Sequence, residues 1–194
     1  MNFRVATFNL HGRQRRWQER RELIVQQLVE LNADALCLNE VSVLSDTGRW
    51  LWRRALDLGL HYHYHQDNAP GYYWAADANA ILTRFPVVET GHFDFYSGGR
   101  HAQVARLDLD GRLVDFYVTH LPHRRAEESL REYQVQLLLG RVDSRDEPDA
   151  RVICGDFNAP PEARSFGLIR QRFQPTQLEP PHAPTPPRRS RPRR

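Results

Sequence analysis

Five polar residues of this chain stand at the ends of apolar runs, and their types suit one chemistry. Asn9 closes "RVATFN", Glu40 closes "DALCLNE", and His120 closes "DFYVTH". Asp156 and Asn158 follow "RVIC" in the stretch "VICGDFNAPP". Carboxylates suit a hard divalent cation such as Mg²⁺, which takes one or two of them and keeps several waters. Asparagine amides can donate to phosphate oxygens without adding charge. A histidine can hold a phosphate or pass it a proton. Taken singly, each residue has a plainer role. Asp156 and Asn158 make a turn ahead of Pro160, Glu40 ends a strand in solvent, Asn9 sits in a turn, and His120 is a satisfied histidine. Their joint occurrence, each just after an apolar strand, points to a common cleft.

The elements that must position them are legible from periodicity. "FRVATFNL" (3–10), "ADALCLNEV" (33–41) and "ARVICGDFN" read as strands rich in β-formers. Leu23, Ile24, Gln27, Leu28 and Leu31 recur at helical spacing and predict an amphipathic helix over about 18–31. A second helix spans 48–59, closed by Gly59. A third lies in "EESLREYQVQLLLGRVD", with Leu130, Tyr133, Gln134, Leu137 and Leu138 on one side. Between the second and third helices lie short strands in "HYHYHQ", "NAILTR", "VVETGHFDFY", "AQVARLDLDG" and "LVDFYVTHL". Asp110-Gly111 forms a hairpin turn. Strands and helices interleave with antiparallel signals in the middle, which describes an α/β chain with mixed sheets.

Composition narrows the class. The 194 residues are 40% hydrophobic and 26% charged, enough for one folded domain. No apolar run is long enough to span a bilayer, and "MNFRVATFNL" lacks the features of a secretory signal, so a cytoplasmic protein is expected. The two cysteines, Cys37 and Cys154, lie inside apolar runs and are expected as buried free thiols. All the basic side chains counted with lysine are arginines. The net charge is +3, but the tail after His182 carries five arginines and no acid, leaving −2 on the body. Bulk charge therefore gives no basic nucleic-acid surface.

In order, "TFNLHG", "DALCLNEV", "NAILTRFP", "VTHLPH" and "VICGDFN" resemble the endonuclease/exonuclease/phosphatase superfamily of metal-dependent phosphodiesterases and phosphatases. The match runs from residue 3 to about 170. The resemblance implies a four-layer α-β-β-α sandwich, two mixed sheets face to face with helices outside. It implies a hydrolase of phosphodiester or phosphomonoester bonds that uses Mg²⁺, with Mn²⁺ as a substitute, and in-line attack by water. The substrate would be nucleic acid or a small-molecule or lipid phosphoester. Glu40 would be the principal metal ligand, with Asn9 beside it. Asp156 would orient the attacking water, Asn158 would hold a phosphate oxygen, and His120 would bind the phosphate or assist the leaving group. Asn79 and Arg84 would lie by the substrate phosphate.

Two departures accompany the resemblance. Asn39 precedes the glutamate where the family usually has glutamine. The closing Ser-Asp-His motif is not found; no aspartate follows Asp156, and the last histidine is His182 in a proline-arginine segment. The expected organisation is therefore a domain over 1–174, with closing strands of the sandwich missing, and an unstructured tail over 175–194 from a truncated or frame-shifted end. A family-like module that binds metal or phosphate without turnover is the alternative.

Other patterns carry plainer readings. His61, His63 and His65 share one face of a strand, a candidate transition-metal patch, but an edge strand with Tyr62 and Tyr64 turned inward accounts for them. "RQRRWQERR" (13–21) reads as a solvated stretch, and "SGGR" (97–100) as a turn.

Overall fold

The computed structural model describes residues 2–11, 16–67, 77–97 and 99–176. Two four-stranded mixed sheets lie face to face. The first has the order β1-β2-β4-β3, built from Val5–Asn9 (β1), Ala35–Ser42 (β2), His63–Asp67 (β3) and Asp77–Thr83 (β4). The second has the order β5-β6-β7-β8, from Val87–Asp94 (β5), His101–Leu109 (β6), Arg112–His120 (β7) and Ala150–Asp156 (β8). β1 runs parallel to β2 and β8 parallel to β7; the other pairs are antiparallel.

Strand alternation assigns the layers. Along β2, Ala35 and Cys37 join Ile81, Leu107, Phe116, Val118 and Cys154 between the sheets. Leu36, Leu38 and Val41 turn the other way, onto Trp17–Leu31 (α1) and Thr47–Asp57 (α2). Glu128–Asp143 (α3) and Arg164–Arg170 (α4) cover the second sheet through Val135, Leu138 and Ile169. This gives the four-layer sandwich. Cys37 and Cys154 are free and buried in the middle layer, where Cys154 raises the Cys37 thiol well above its ordinary range, burial adding to the shift.

Differences from the sequence reading are local. The buried stripe of α1 is Trp17, Ile24, Val25 and Leu28, whereas Leu23 is 59% exposed. On α3 the covered side is Gln134, Val135, Leu138, Leu139 and Val142, and Tyr133 faces out. α4 was not foreseen because its seven residues carry no clear apolar period. Asp110 and Gly111 both have positive φ, 55° and 87°, as the hairpin turn requires. Within 13–21, residues 13–15 lie outside the described residues; Arg20 donates to the Leu10 and His11 carbonyls and Arg21 lies over the Trp50 ring. Most of the segment 175–194, from 177 on, also lies outside the described residues. Among the described residues no helix is long and apolar enough to cross a membrane.

Candidate active site

The site forms where β1, β2, β7 and β8 end together. Asn9, the last residue of β1, points its amide at two carboxylates. Its Nδ2 donates to Glu40 Oε1 at 3.1 Å and to Asp156 Oδ2 at 3.0 Å, across 147 residues of sequence in the second case. The two acidic oxygens therefore lie no farther apart than those distances together. Two anions so close repel unless positive charge is near.

Local backbone geometry puts Glu40 there. β2 pairs regularly with β4 up to Leu38 and resumes at Val41, and Glu40 between them has φ +52°. The bulge takes Glu40 out of strand alternation and turns its side chain to the sheet end. His11 and Asn158 also have left-handed backbones, at φ 49° and 47°. Three such non-glycine residues in one cleft is the clustering of backbone strain expected of a functional site. The His11 amide donates to Asn9 Oδ1, and His11 Nδ1 lies 3.6 Å from Glu40 Oε2.

Asp156 is held on every side. Its amide donates to Asn39 Oδ1 at 2.9 Å, and its Oδ1 accepts from the Asn158 amide at 3.0 Å. Asn158 also gives one side-chain N–H to the Leu121 carbonyl. Gly155 precedes it at φ +125°, so close to β7 that a Cβ would lie 1.9 Å from the Thr119 carbonyl oxygen. Only glycine lets the strand pass there.

His120 Nε2 sits 4.0 Å from both Glu40 Oε1 and Asp156 Oδ2. Its Nδ1 lies 2.8 Å from Arg100 Nη1. A guanidinium only donates, so Nδ1 is the acceptor and Nε2 carries the proton. Burial first, then the Arg100 charge, lowers the His120 pKa to about 4. The imidazole is therefore neutral at pH 7, with its N–H aimed between the two carboxylates. The folded chain refuses a proton that the unfolded chain accepts near pH 6.5. The stability from His120 is thus full above pH 6.5 and is lost as pH falls towards 4. In chelator-containing buffer, His120→Asn is expected to show a shallower fall in unfolding free energy between pH 6.5 and 4.5 than the wild type. Urea titrations at each pH measure it, and parallel curves would refute the assignment.

The structure brings together Asn9, Glu40, His120, Asp156 and Asn158. Asn79 lies one layer behind them, 3% exposed; its Oδ1 accepts from Asn39 Nδ2 at 2.8 Å. Arg84 is not brought in. It sits at the opposite end of the first sheet, paired with Asp34 Oδ1 at 3.2 Å and with Asn32, its guanidinium over the Tyr62 ring. β4 separates it from Asn79 by five residues, about 17 Å of strand.

Two participants were missed. Asn39 is fully buried and joins three strands, donating also to the Thr119 carbonyl at 3.0 Å. Alternation from Ala35 and Cys37 puts it between the sheets, a signal the sequence did carry. Arg100 closes the turn "SGGR" in the sequence. Its approach to His120 depends on β5, β6 and β7 being neighbours, and no local pattern encodes that.

The fold and these strand ends define a class. The chain belongs to the endonuclease/exonuclease/phosphatase family, whose model matches residues 6–191. The family's description joins nucleases and phosphatases, which share cleavage of a phosphate-ester bond. Nocturnin of Xenopus laevis is 25% identical over 162 residues, 75% of this chain and 41% of that protein. Carbon catabolite repressor protein 4 homolog 3 of Arabidopsis thaliana is 26% identical over 166 residues, 79% of this chain and 36% of that protein. The chain spans about two fifths of the length of these curated relatives. Among solved structures, the human Nocturnin catalytic domain with bound sulfate superposes with a TM-score of 0.74 at 25% identity, covering 88% of this chain and 69% of that one.

Proposed function

We propose that this chain hydrolyses a phosphodiester or phosphomonoester, with water attacking phosphorus in line with the leaving oxygen. The observation that carries the reading is the single Asn9 amide shared by Glu40 and Asp156. Glu40, with Asn9 beside it, would hold Mg²⁺ or Mn²⁺. Among the described residues no three His, Cys, Asp or Glu side chains make a ready cage for an ion. When bound, the cation would neutralise charge developing on the phosphoryl oxygens.

The chain's own groups account for the rest. Asp156, fixed through both oxygens, orients the attacking water and accepts its proton. His120 donates Nε2–H to a phosphoryl oxygen; a neutral imidazole backed by Arg100 serves as a donor rather than as a base. Arg100 supplies fixed positive charge behind it. The second amide N–H of Asn158 is directed to another oxygen. Asn79 acts through Asn39, as a positioning residue. The human Nocturnin catalytic domain binds sulfate, a tetrahedral oxyanion like phosphate, and this supports an oxyanion ligand for the present chain. Residues 1–174 carry the site. Two free thiols support a reducing, cytoplasmic setting.

The test is hydrolysis of bis(p-nitrophenyl) phosphate with Mg²⁺ or chelator, alongside thermal melting. Millimolar Mg²⁺ is expected to raise Tm in the wild type and not in Glu40→Ala, since a ligand of the native state alone stabilises it. A Tm shift without turnover would leave a binding module. Neither turnover nor a shift would remove the site.

A further inference from the structure

One polar contact between the sheets is accounted for by cohesion alone. Asp67 shares a face of β3 with His65 and pairs with His92 Nδ1 at 3.0 Å and His101 Nε2 at 3.4 Å, tying β3 to β5 and β6. The polar residues buried under α3 reach further. Arg131 and Gln134 are 4% and 0% exposed and stand three residues apart, so they share one face with Val135, Leu138 and Val142. A guanidinium and an amide taken out of water are costly unless hydrogen bonds meet them.

Their partners are the two loops that carry Arg100 and His120. Arg131 Nη1 donates to the Pro122 carbonyl at 2.7 Å and to the Arg124 carbonyl at 2.9 Å, in the segment that continues β7 past His120. Its charge is met by Glu128 Oε2 at 2.8 Å, and Glu128 Oε1 accepts from the Ser165 amide at 2.8 Å. Gln134 Nε2 donates to the Ser97 carbonyl at 2.9 Å, in the connection from β5 to β6. The Arg100 amide donates to the same carbonyl at 3.5 Å, and the Arg100 carbonyl accepts from the Phe95 amide at 3.1 Å. Tyr96 has φ 55° and is 88% exposed, so this connection carries backbone strain and gains little from packing at that residue. A strained connection keeps its shape only where neighbours fix it, and Gln134 is the group of α3 that does so.

We propose that Gln134 is a positioning residue for the phosphoester reaction: through Ser97 it sets Arg100 against His120, while Arg131 fixes the segment on the other side of His120. The proposal rests on the hydrolytic reading of the Glu40–Asp156 site. Arg100 Nη1 lies 2.8 Å from His120 Nδ1, which keeps the imidazole proton on Nε2. Loss of the Gln134 bond frees the Ser97 carbonyl, and the guanidinium no longer holds the ring in that tautomer. A displacement of about 1 Å near the chemistry lowers a rate by about 10²-fold. Glu40 and Asn9 are untouched, so the anchor of the cation stays.

The experiment uses the full chain with bis(p-nitrophenyl) phosphate and Mg²⁺. Gln134→Met keeps the length of the side chain and removes the donor. Its kcat should fall at least about tenfold with KM within about twofold, and its Mg²⁺-induced rise in Tm should match that of the wild type. Gln103→Leu removes another buried amide, one that donates to the His65 carbonyl at 3.1 Å, and should keep kcat within about twofold. On an Arg100→Gln background, itself slow, Gln134→Met should add less than about twofold, because two groups on one route do not act independently. A loss as large there as in the wild type would make Gln134 a packing residue and overturn the proposal. So would an unchanged kcat in Gln134→Met while the wild type turns over. A wild type without turnover overturns the hydrolytic reading instead, and the positioning role falls with it. Circular dichroism verifies folding, and Gln134→Leu takes the same test if Gln134→Met does not fold.

Discussion

Glu40→Gln and Asp156→Asn should each lower kcat/KM for a phosphodiester by at least about 10³-fold, which is about 4 kcal/mol of transition-state stabilisation. Both substitutions keep size, and an amide keeps one acceptor oxygen where Asp156 uses two, so the loss reports charge and at most one hydrogen bond rather than packing. The two should differ in kind. On the proposed roles, Glu40→Gln would remove the principal anchor for the cation, and its defect should shrink as Mg²⁺ is raised. Asp156→Asn would remove the group proposed to receive the proton from water, and its defect should persist at saturating Mg²⁺ with KM little changed. The amide of Asn9 touches both carboxylates, so the double variant should fall well short of the product of the single effects, because neighbouring groups do not act independently. Activity within tenfold of the wild type in either single variant would exclude the assignment.

Gly155→Ala should destabilise the fold by at least about 3 kcal/mol, beyond the usual range for a surface strand substitution. The new methyl would meet the Thr119 carbonyl oxygen at 1.9 Å and its carbon at 2.9 Å. These are backbone atoms of the neighbouring strand, paired in register with Gly155, so no side-chain rotation relieves the clash. The φ of +125° adds strain for any L side chain. Relief requires β8 to separate from β7, which moves Asp156 as well, so activity should fall with stability. Gly91→Ala is the control: it lies on β5, and its added Cβ has no atom within 4 Å. Urea unfolding should show Gly91→Ala within about 0.5 kcal/mol of the wild type. Equal stability of Gly155→Ala and the wild type would mean the two strands do not approach as described.

The strand positions were legible because each buried strand is bracketed by turn residues, and the two carboxylates of the candidate site because they follow apolar runs directly. The motif residues Asn9, Glu40, His120, Asp156 and Asn158 could be named from the line of text. Arg84 could not be rejected there. It follows the same strand as Asn79, but a strand has two ends, and only the pairing of β4 with β2 shows that Arg84 meets Asp34 at the far one. Asn39 was open to a period-two reading that the adjacent glutamate obscured. The bulge at Glu40 takes that residue out of alternation, so that both Asn39 and Glu40 reach the site.

By itself the sequence determined what depends on near neighbours: the alternation that builds the middle layer, the glycine that lets β8 press on β7, and the residue types able to share a cation and a phosphate. Tertiary structure alone decided what depends on distant strands meeting. It set the distance between Glu40 and Asp156, the neutral state of His120 under burial and the Arg100 charge, and the meeting of Asp67 with His92 and His101 across two sheets. The reason is physical. Backbone periodicity is a local property, whereas electrostatic free energy and desolvation depend on separation in space, which only the packed sheets define.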